Sequence, residues 1–342
     1  MADPVIAREC MAESVLLKAL VPEAVEYNGG LFVELDEEDA GRESLFVEAC
    51  QAAGIPARPV SGADALAMEP ALSASVRGAV WVPDGSFDAY RVPLSFFAAA
   101  RSLGAQILPW NEVIGFERSG GRVEAVVVLD RSGETERERR VPADYFVSAA
   151  GAWAGRLGAM AGVDVPLTPA AGTMVAVRAR LCGRVVSRLR PAGDGDIIVP
   201  QRGLSIIGST HRFASDPEAL MPGPGDISYL VRHAAEMIPG FPLAPVYAAW
   251  SAARPLAGRP LSAEQPGFTE GRLLSRGFVA LDHAGEGAAG FSTLIGGKAT
   301  VLRAMGEKAA DLVCTALGVD DPCRTASYVL PPWRDFYRSS AA

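Results

Sequence analysis

The residues with the clearest chemical purpose are Lys298, which follows the pair Gly296-Gly297, and two arginines, Arg254 and Arg276. Two glycines before a helix admit a flat anionic ligand to the backbone, and the first N–H groups then face it with the positive end of the helix dipole. That dipole disfavours a lysine at the entry, so Lys298 either answers a bound negative charge or is a solvated surface cation. Arg254 follows an apolar strand and precedes Pro255. Its planar guanidinium, like that of Arg276, suits a phosphate or a structural ion pair. His211 follows the turn Gly208-Ser209-Thr210 and is either a proton acceptor or a turn residue. Thr300 either donates to a ligand carbonyl or caps the helix. The set describes a place for anions with one candidate base.

The stretch from Gly271 to Leu317 that carries Lys298 reads as strand, turn, strand, glycine break and helix. Inside it Gly285, Gly287 and Gly290 fit G-x-G-x-x-G literally. A dinucleotide fingerprint needs a helix to open at the third glycine, and here β-prone Phe-Ser-Thr-Leu-Ile follows, so a plain turn is expected. Gly297-Lys298 is no P-loop either, because Ala299 stands where Ser or Thr would reach magnesium. Of the other histidines, His283 is expected to bond locally to the turn after it, and His233 to sit on a solvated helix face.

Composition narrows the class. A chain of 342 residues, 49% of them hydrophobic, can bury one large core or two ordinary ones. The net charge of -8 argues against general nucleic-acid binding, since no excess of Lys and Arg exists to displace phosphate counterions. Cys10, Cys50, Cys182, Cys314 and Cys323 form no C-x-x-C pair, so thiols packed in a reducing compartment are expected and no metal site is. No apolar run approaches the roughly 18 residues needed to cross a bilayer. Residues 1 to 30 show no basic-then-apolar leader. A cytoplasmic chain, or one peripheral on the inner face of the cell membrane, is the expectation.

The elements that must position these residues follow from caps and breakers. Asp3-Pro4 opens a helix that ends before Pro22, Gly29-Gly30 introduce a strand from Leu31 to Leu35, and Asp36 caps a helix to about Ala53. Ser61 and Pro70 bracket a short helix, Gly78 to Val82 is a strand, and Asp88 caps a helix finishing at Gly104. From Ala105 to Val141 the pattern is a β-meander with a solvated charge run from Glu134 to Arg140. Asp144 to Ala150 reads as a fully apolar strand of parallel-sheet type, and Gly151-Ala152-Trp153 turn it into a helix. Strands near Thr173 to Val177, Ile197 to Val199, Leu204 to Ile207 and Val246 to Ala253 follow, with a helix at Asp226 to Ile238.

In this order the segments resemble the FAD-dependent glycerol-3-phosphate dehydrogenases of the anaerobic, A-subunit type. The likeness covers nearly the whole chain: Asp3-Pro4 with Ala7 to Cys10, Gly29 to Val33, Asp84 to Asp88, Ala149 to Trp153, Asp196 to Pro200 with Ile207 to Thr210, Arg254 to Leu256, Ser275 to Gly277 with Leu281 to His283, and Gly296 to Lys298. The resemblance implies an α/β (α+β) chain. It would combine an incomplete Rossmann-type FAD-binding domain with an antiparallel-sheet substrate domain, in the manner of amino-acid oxidases. Residues 105–172 and 277–320 would form the FAD part, and 21–104 and 173–276 the substrate or cap part. Residues 1–20 would be an N-terminal helix and 321–342 a tail.

The implied reaction oxidises sn-glycerol 3-phosphate by hydride transfer to FAD, with electrons passed to quinone or a membrane-associated electron-transfer subunit. The resemblance assigns Arg254, Arg276 and Thr210 to the substrate, Lys298 and His211 to catalysis, and Gly151, Ala152, Trp153, Gly296, Gly297, Lys298 and Thr300 to the cofactor. The family's opening strand, its G-x-G-x-x-G turn and an HGGLRY-like segment do not occur in this sequence. That departure keeps a second expectation open, a non-catalytic fragment or paralogue, beside a third, an amine or sarcosine-like FAD oxidase.

Overall fold

The computed structural model describes residues 4–191, 193–259 and 277–338. It divides into two compact units, one of Met1–Pro93, Ala171–Arg212 and Glu218–Ala253, the other of Leu94–Ala170, Phe213–Pro217 and Arg254–Ala342.

The first unit is built on a mixed sheet. Its strand order is Arg212–Phe213, Leu167–Val177, Leu204–Gly208, Ile197–Gln201, Val185–Arg188, Gly30–Glu34, Gly78–Val82 and Arg58–Ser61, with Val246–Ala257 also paired to Leu167–Val177. Alternation along Gly30–Glu34 explains its two covers. Leu31 and Val33 enter a core with Leu230, Ala234 and Met237 of the helix Pro224–Met237. Phe32 faces the other way and meets Phe46 of the helix Glu43–Ala52, ring centroids 4.6 Å apart.

Capping residues behave as their chemistry requires. Ser61 accepts from the amide of Asp64 at 3.1 Å and starts the helix Gly62–Met68. The carboxylate of Asp88 accepts from Tyr90 and Arg91 at 3.0 Å before the helix Arg91–Ser102. The single helix expected after Asp36 is two. Asp36 caps Glu37–Ala40, and Gly41 with Arg42 separates it from Glu43–Ala52. Glycine is a poor helix former, and the break lets Asp39 bury its carboxylate against Leu35 N and the Arg188 guanidinium. The strand Val185–Arg188, which runs parallel to Gly30–Glu34, has no counterpart in the expected elements.

The second unit holds the meander as three antiparallel strands, Asn111–Ser119, Arg122–Asp130 and Arg137–Pro142. The charge run is exposed as expected. A second small sheet has the order Phe278–Asp282, Phe291–Gly296 and Phe146–Ser148. Val123, Ala154, Ala161, Val163, Phe291 and Ile295 form the buried cluster of this unit. The apolar stretch from Asp144 to Ala150 contributes only Phe146–Ser148 as strand, and it lies at the end of its sheet with Val147 38% exposed. Gly285 to Gly290 is the expected turn: a 3-10 turn at Ala284–Glu286, then Gly287 and Gly290 at φ 75° and 76°, then a strand.

Candidate active site

Two glycine-bearing junctions leave the small sheet of the second unit at the same end. Phe146–Ser148 and Phe291–Gly296 are parallel, with Ser148 opposite Thr293. Gly151 stands three residues beyond Ser148, and Gly296 three beyond Thr293. In open α/β sheets the carboxyl ends of parallel strands are where ligands bind.

At the first junction Gly151 has φ 56° and starts the 3-10 turn Gly151–Trp153, which runs into the helix Ala154–Met160. A Cβ on Gly151 would meet nothing within 4 Å, so the backbone there is bare. Beside it lies a cavity of about 380 Å³ bordered by Ala152, Trp153 and Leu167 among others. Ala152 is buried and Trp153 half-exposed.

The second junction uses its glycines differently from the expectation. Gly296 and Gly297 have φ 78° and 82°. A Cβ on Gly296 would overlap the Gly277 carbonyl, and one on Gly297 would come within 2.7 Å of the Met305 sulfur. The Gly297 amide donates to the Gly277 carbonyl at 3.0 Å. These glycines therefore let the chain pack on itself. A 3-10 turn, Ala299–Val301, separates Lys298 from the helix Leu302–Leu317. Lys298 is exposed and Thr300 half-buried.

A polar tie fixes the strand that delivers this junction. His283 is fully buried and lies stacked on Phe291, ring centroids 5.3 Å apart. Its Nδ1 is 2.9 Å from Glu286 Oε1 and its Nε2 2.9 Å from Thr293 Oγ1. The hydrogen bond from His283 lowers the pKa of Glu286, so the carboxylate stays charged and fixes the ring. The expected local bond of His283 to its turn is present, and the reach to Thr293 adds a tie across the hairpin.

Thr210 and His211 belong to the first unit and are both buried. The Thr210 hydroxyl accepts from the Thr173 amide at 3.0 Å. Thr173 Oγ1 in turn donates to Asp226 at 3.1 Å, which leaves it to accept from the Ser251 hydroxyl at 2.8 Å. Arg212 pairs with the same Asp226 carboxylate at 3.1 Å, so His211 sits between two pinned neighbours. His233 is not solvated: its side chain is 16% exposed, its ring is tilted against Tyr229 with centroids 4.2 Å apart, and it lies 3.5 Å from Glu236. Burial lowers its pKa. Arg254 is half-buried in the strand Val246–Ala257, at the point where the chain enters the second unit. Arg276 lies outside the described residues. Among the described residues no cluster of His, Cys, Asp or Glu has the make-up of a metal site.

The model of the family described as FAD dependent oxidoreductase matches residues 6–302. The chain belongs to that FAD-dependent family. Among curated relatives it is 35% identical over 343 residues to the A1 subunit of the anaerobic glycerol-3-phosphate dehydrogenase of Haloferax volcanii, covering 98% of this chain and 58% of that protein. It is 35% identical over 336 residues to the A subunit of the anaerobic glycerol-3-phosphate dehydrogenase of Escherichia coli strain K12, covering 96% of this chain and 60% of that protein. The chain thus spans about three-fifths of the length of these relatives.

Solved structures agree on the fold. The glycerol-3-phosphate dehydrogenase from Bacillus halodurans, complexed with FAD, superposes with a TM-score of 0.71 at 22% identity over 99% of this chain and 62% of that one. Glycine oxidase from Bacillus cereus gives 0.68 at 22% identity over 95% and 84%. The Gly151 backbone is bare beside the cavity, and Lys298 is exposed at the second junction. Cavity-lining residues such as Arg156 and Asp216 carry no sequence pattern that would have singled them out.

Proposed function

We propose that this chain is the FAD-binding, substrate-oxidising part of a glycerol-3-phosphate dehydrogenase of the anaerobic, A-subunit type. The observation that carries the reading is the pair of glycine junctions at one end of parallel strands, with Lys298 on one and the cavity on the other. The curated relatives support the substrate class by their names and their 35% identity.

FAD, when bound, supplies the hydride acceptor. Gly151, Ala152 and Trp153 would hold it at the first junction, and Gly296, Gly297, Lys298 and Thr300 at the second. Lys298 would place its positive charge beside the cofactor or the C2 oxygen of the substrate. Arg254 grips the phosphate dianion through its planar fork, with Arg276 in the same role and Thr210 as a substrate contact. His211 would be the acceptor of the substrate's hydroxyl proton. Electrons leave for a quinone or a membrane-associated partner protein. Among the described residues no helix is long and apolar enough to cross a membrane.

The test is the visible spectrum of the 342-residue chain with added FAD, then anaerobic glycerol 3-phosphate. Flavin absorbance that bleaches with glycerol 3-phosphate and persists with glycine or sarcosine supports the reading. Bleaching by glycine or sarcosine instead would move the activity to an amine oxidase. A colourless chain that takes up no FAD would reject cofactor binding by this polypeptide.

A further inference from the structure

Every polar atom of His283 is engaged, although no step of the proposed reaction uses the residue. Its amide donates to the Phe291 carbonyl at 3.1 Å, and its carbonyl accepts from the amides of Glu286 and Ala288, each at 3.0 Å. Its ring meets Glu286 through Nδ1 and Thr293 through Nε2, both at 2.9 Å. An ionised Glu286 carboxylate can only accept, so Nδ1 carries a proton. In the neutral ring Nε2 then offers a lone pair, and the Thr293 hydroxyl donates to it. The second oxygen of Glu286 accepts from the Asp164 amide at 3.4 Å, in the loop that leaves the helix Ala154–Met160. Asp164, Glu286, His283 and Thr293 therefore link the helix of the first junction to the strand that ends in the second.

Thr293 makes this link specific. It is fully buried, three residues before Gly296, and shares a strand face with Phe291 and Ile295. Alternation alone guards against a one-residue slip, which would turn that face outward, but not against a two-residue slip, which keeps it inward. The second slip would put Phe291 or Ile295 where Thr293 stands and leave Nε2 buried without a partner. We propose, on the reading that the two junctions meet the cofactor, that His283 is a positioning residue. Locked as its Nδ1–H tautomer between Glu286 and Thr293, it sets the register that brings Gly296, Gly297 and Lys298 to their place.

The chain has three histidines and three lysines, which makes the test selective. NMR of the full chain with isotope-labelled histidine should show His283 as the Nδ1–H tautomer in the wild type and in Thr293→Ser, while Glu286→Gln should admit the other tautomer. Endoproteinase Lys-C can cut only after Lys18, Lys298 and Lys308. Thr293→Val should speed the cut after Lys298 about tenfold and leave that after Lys18 at the wild-type rate, and Thr293→Ser should restore resistance. In the chain loaded with FAD, Thr293→Val should slow flavin reduction about tenfold, with half-saturating glycerol 3-phosphate unchanged. An Nε2–H ring in the wild type would overturn the assignment, as would unchanged cleavage after Lys298 or unchanged flavin reduction in Thr293→Val. Equal acceleration at Lys18 would do the same, since it marks a generally loosened fold. A chain that takes up no FAD would defeat the reading of the junctions, and tautomer and cleavage would still decide whether His283 sets the register.

Discussion

Glu34 is 5% exposed and faces Glu43, two carboxyl groups that cannot both stay charged at close range. Burial, then Glu43 and Asp39, raise its pKa from 4.5 to about 7, with Arg77 opposing. Gly78 leaves the room this needs, since a Cβ there would come within 2.7 Å of the Glu34 carboxylate. Because the folded state holds this proton more tightly than the unfolded chain, its stabilisation is complete below about pH 4.5 and fades as the pH rises through about 7. Glu34→Gln should flatten that dependence. Urea midpoints of the wild type should fall between pH 5 and 8 by the equivalent of about 1–2 kcal/mol, and those of the variant should not. An equal fall in both would mean that another group sets the slope. At the active site, Lys298→Ala should slow flavin reduction more than it weakens phosphate binding, and Arg254→Ala the reverse. Stopped-flow reduction and phosphate competition distinguish the two, and wild-type values for both variants would remove these residues from the site.

At the level of elements, one arginine joins three segments. Arg188, at the end of Val185–Arg188, binds Asp39 at 2.8 Å, Glu236 at 3.0 Å and Asp36, and its side chain is 15% exposed. Removing it strands the buried carboxylate of Asp39, so Arg188→Ala should cost about 3–5 kcal/mol, measured by denaturant unfolding. A cost below about 1 kcal/mol would show that water replaces the guanidinium. The strand carrying Arg188 also marks the limit of what local sequence tells. Local signals are enough for the helices after Ser61 and Asp88, whose caps speak to amides two or three residues away. They are not enough for Val185–Arg188, whose partner Gly30–Glu34 lies more than 150 residues earlier by number and is chosen by the sheet as a whole. The same distinction runs through the site. Gly151 and Lys298 stand in recognisable patterns, whereas the role of Gly296 and Gly297 depends on Gly277 and Met305. His233 departs from its expected solvated face because Tyr229, one turn before it, and Glu236, one turn after it, lie against its ring.

For the molecule as a whole, thiol chemistry reports the fold. Cys323 is exposed, Cys10 and Cys314 are partly covered, and Cys50 and Cys182 are buried. Burial, reinforced by Glu69, pushes the Cys182 thiol up to about 12, and burial raises Cys50 as well. A disulfide reagent at pH 8 should therefore modify Cys323 within minutes and reach Cys50 and Cys182 only as the chain unfolds. Fast native labelling of Cys182 would contradict this core. The terminal position of Phe146–Ser148 in its sheet has a further consequence. Among the described residues no strand pairs with its outer side, and half-exposed Val147 stands in the middle of it. Such a rim is a template for another copy of itself, so the isolated chain should associate reversibly as its concentration rises. Val147→Lys should suppress that association in sedimentation experiments, because a charge at the rim repels its own image, and an unchanged profile would place the sticky surface elsewhere.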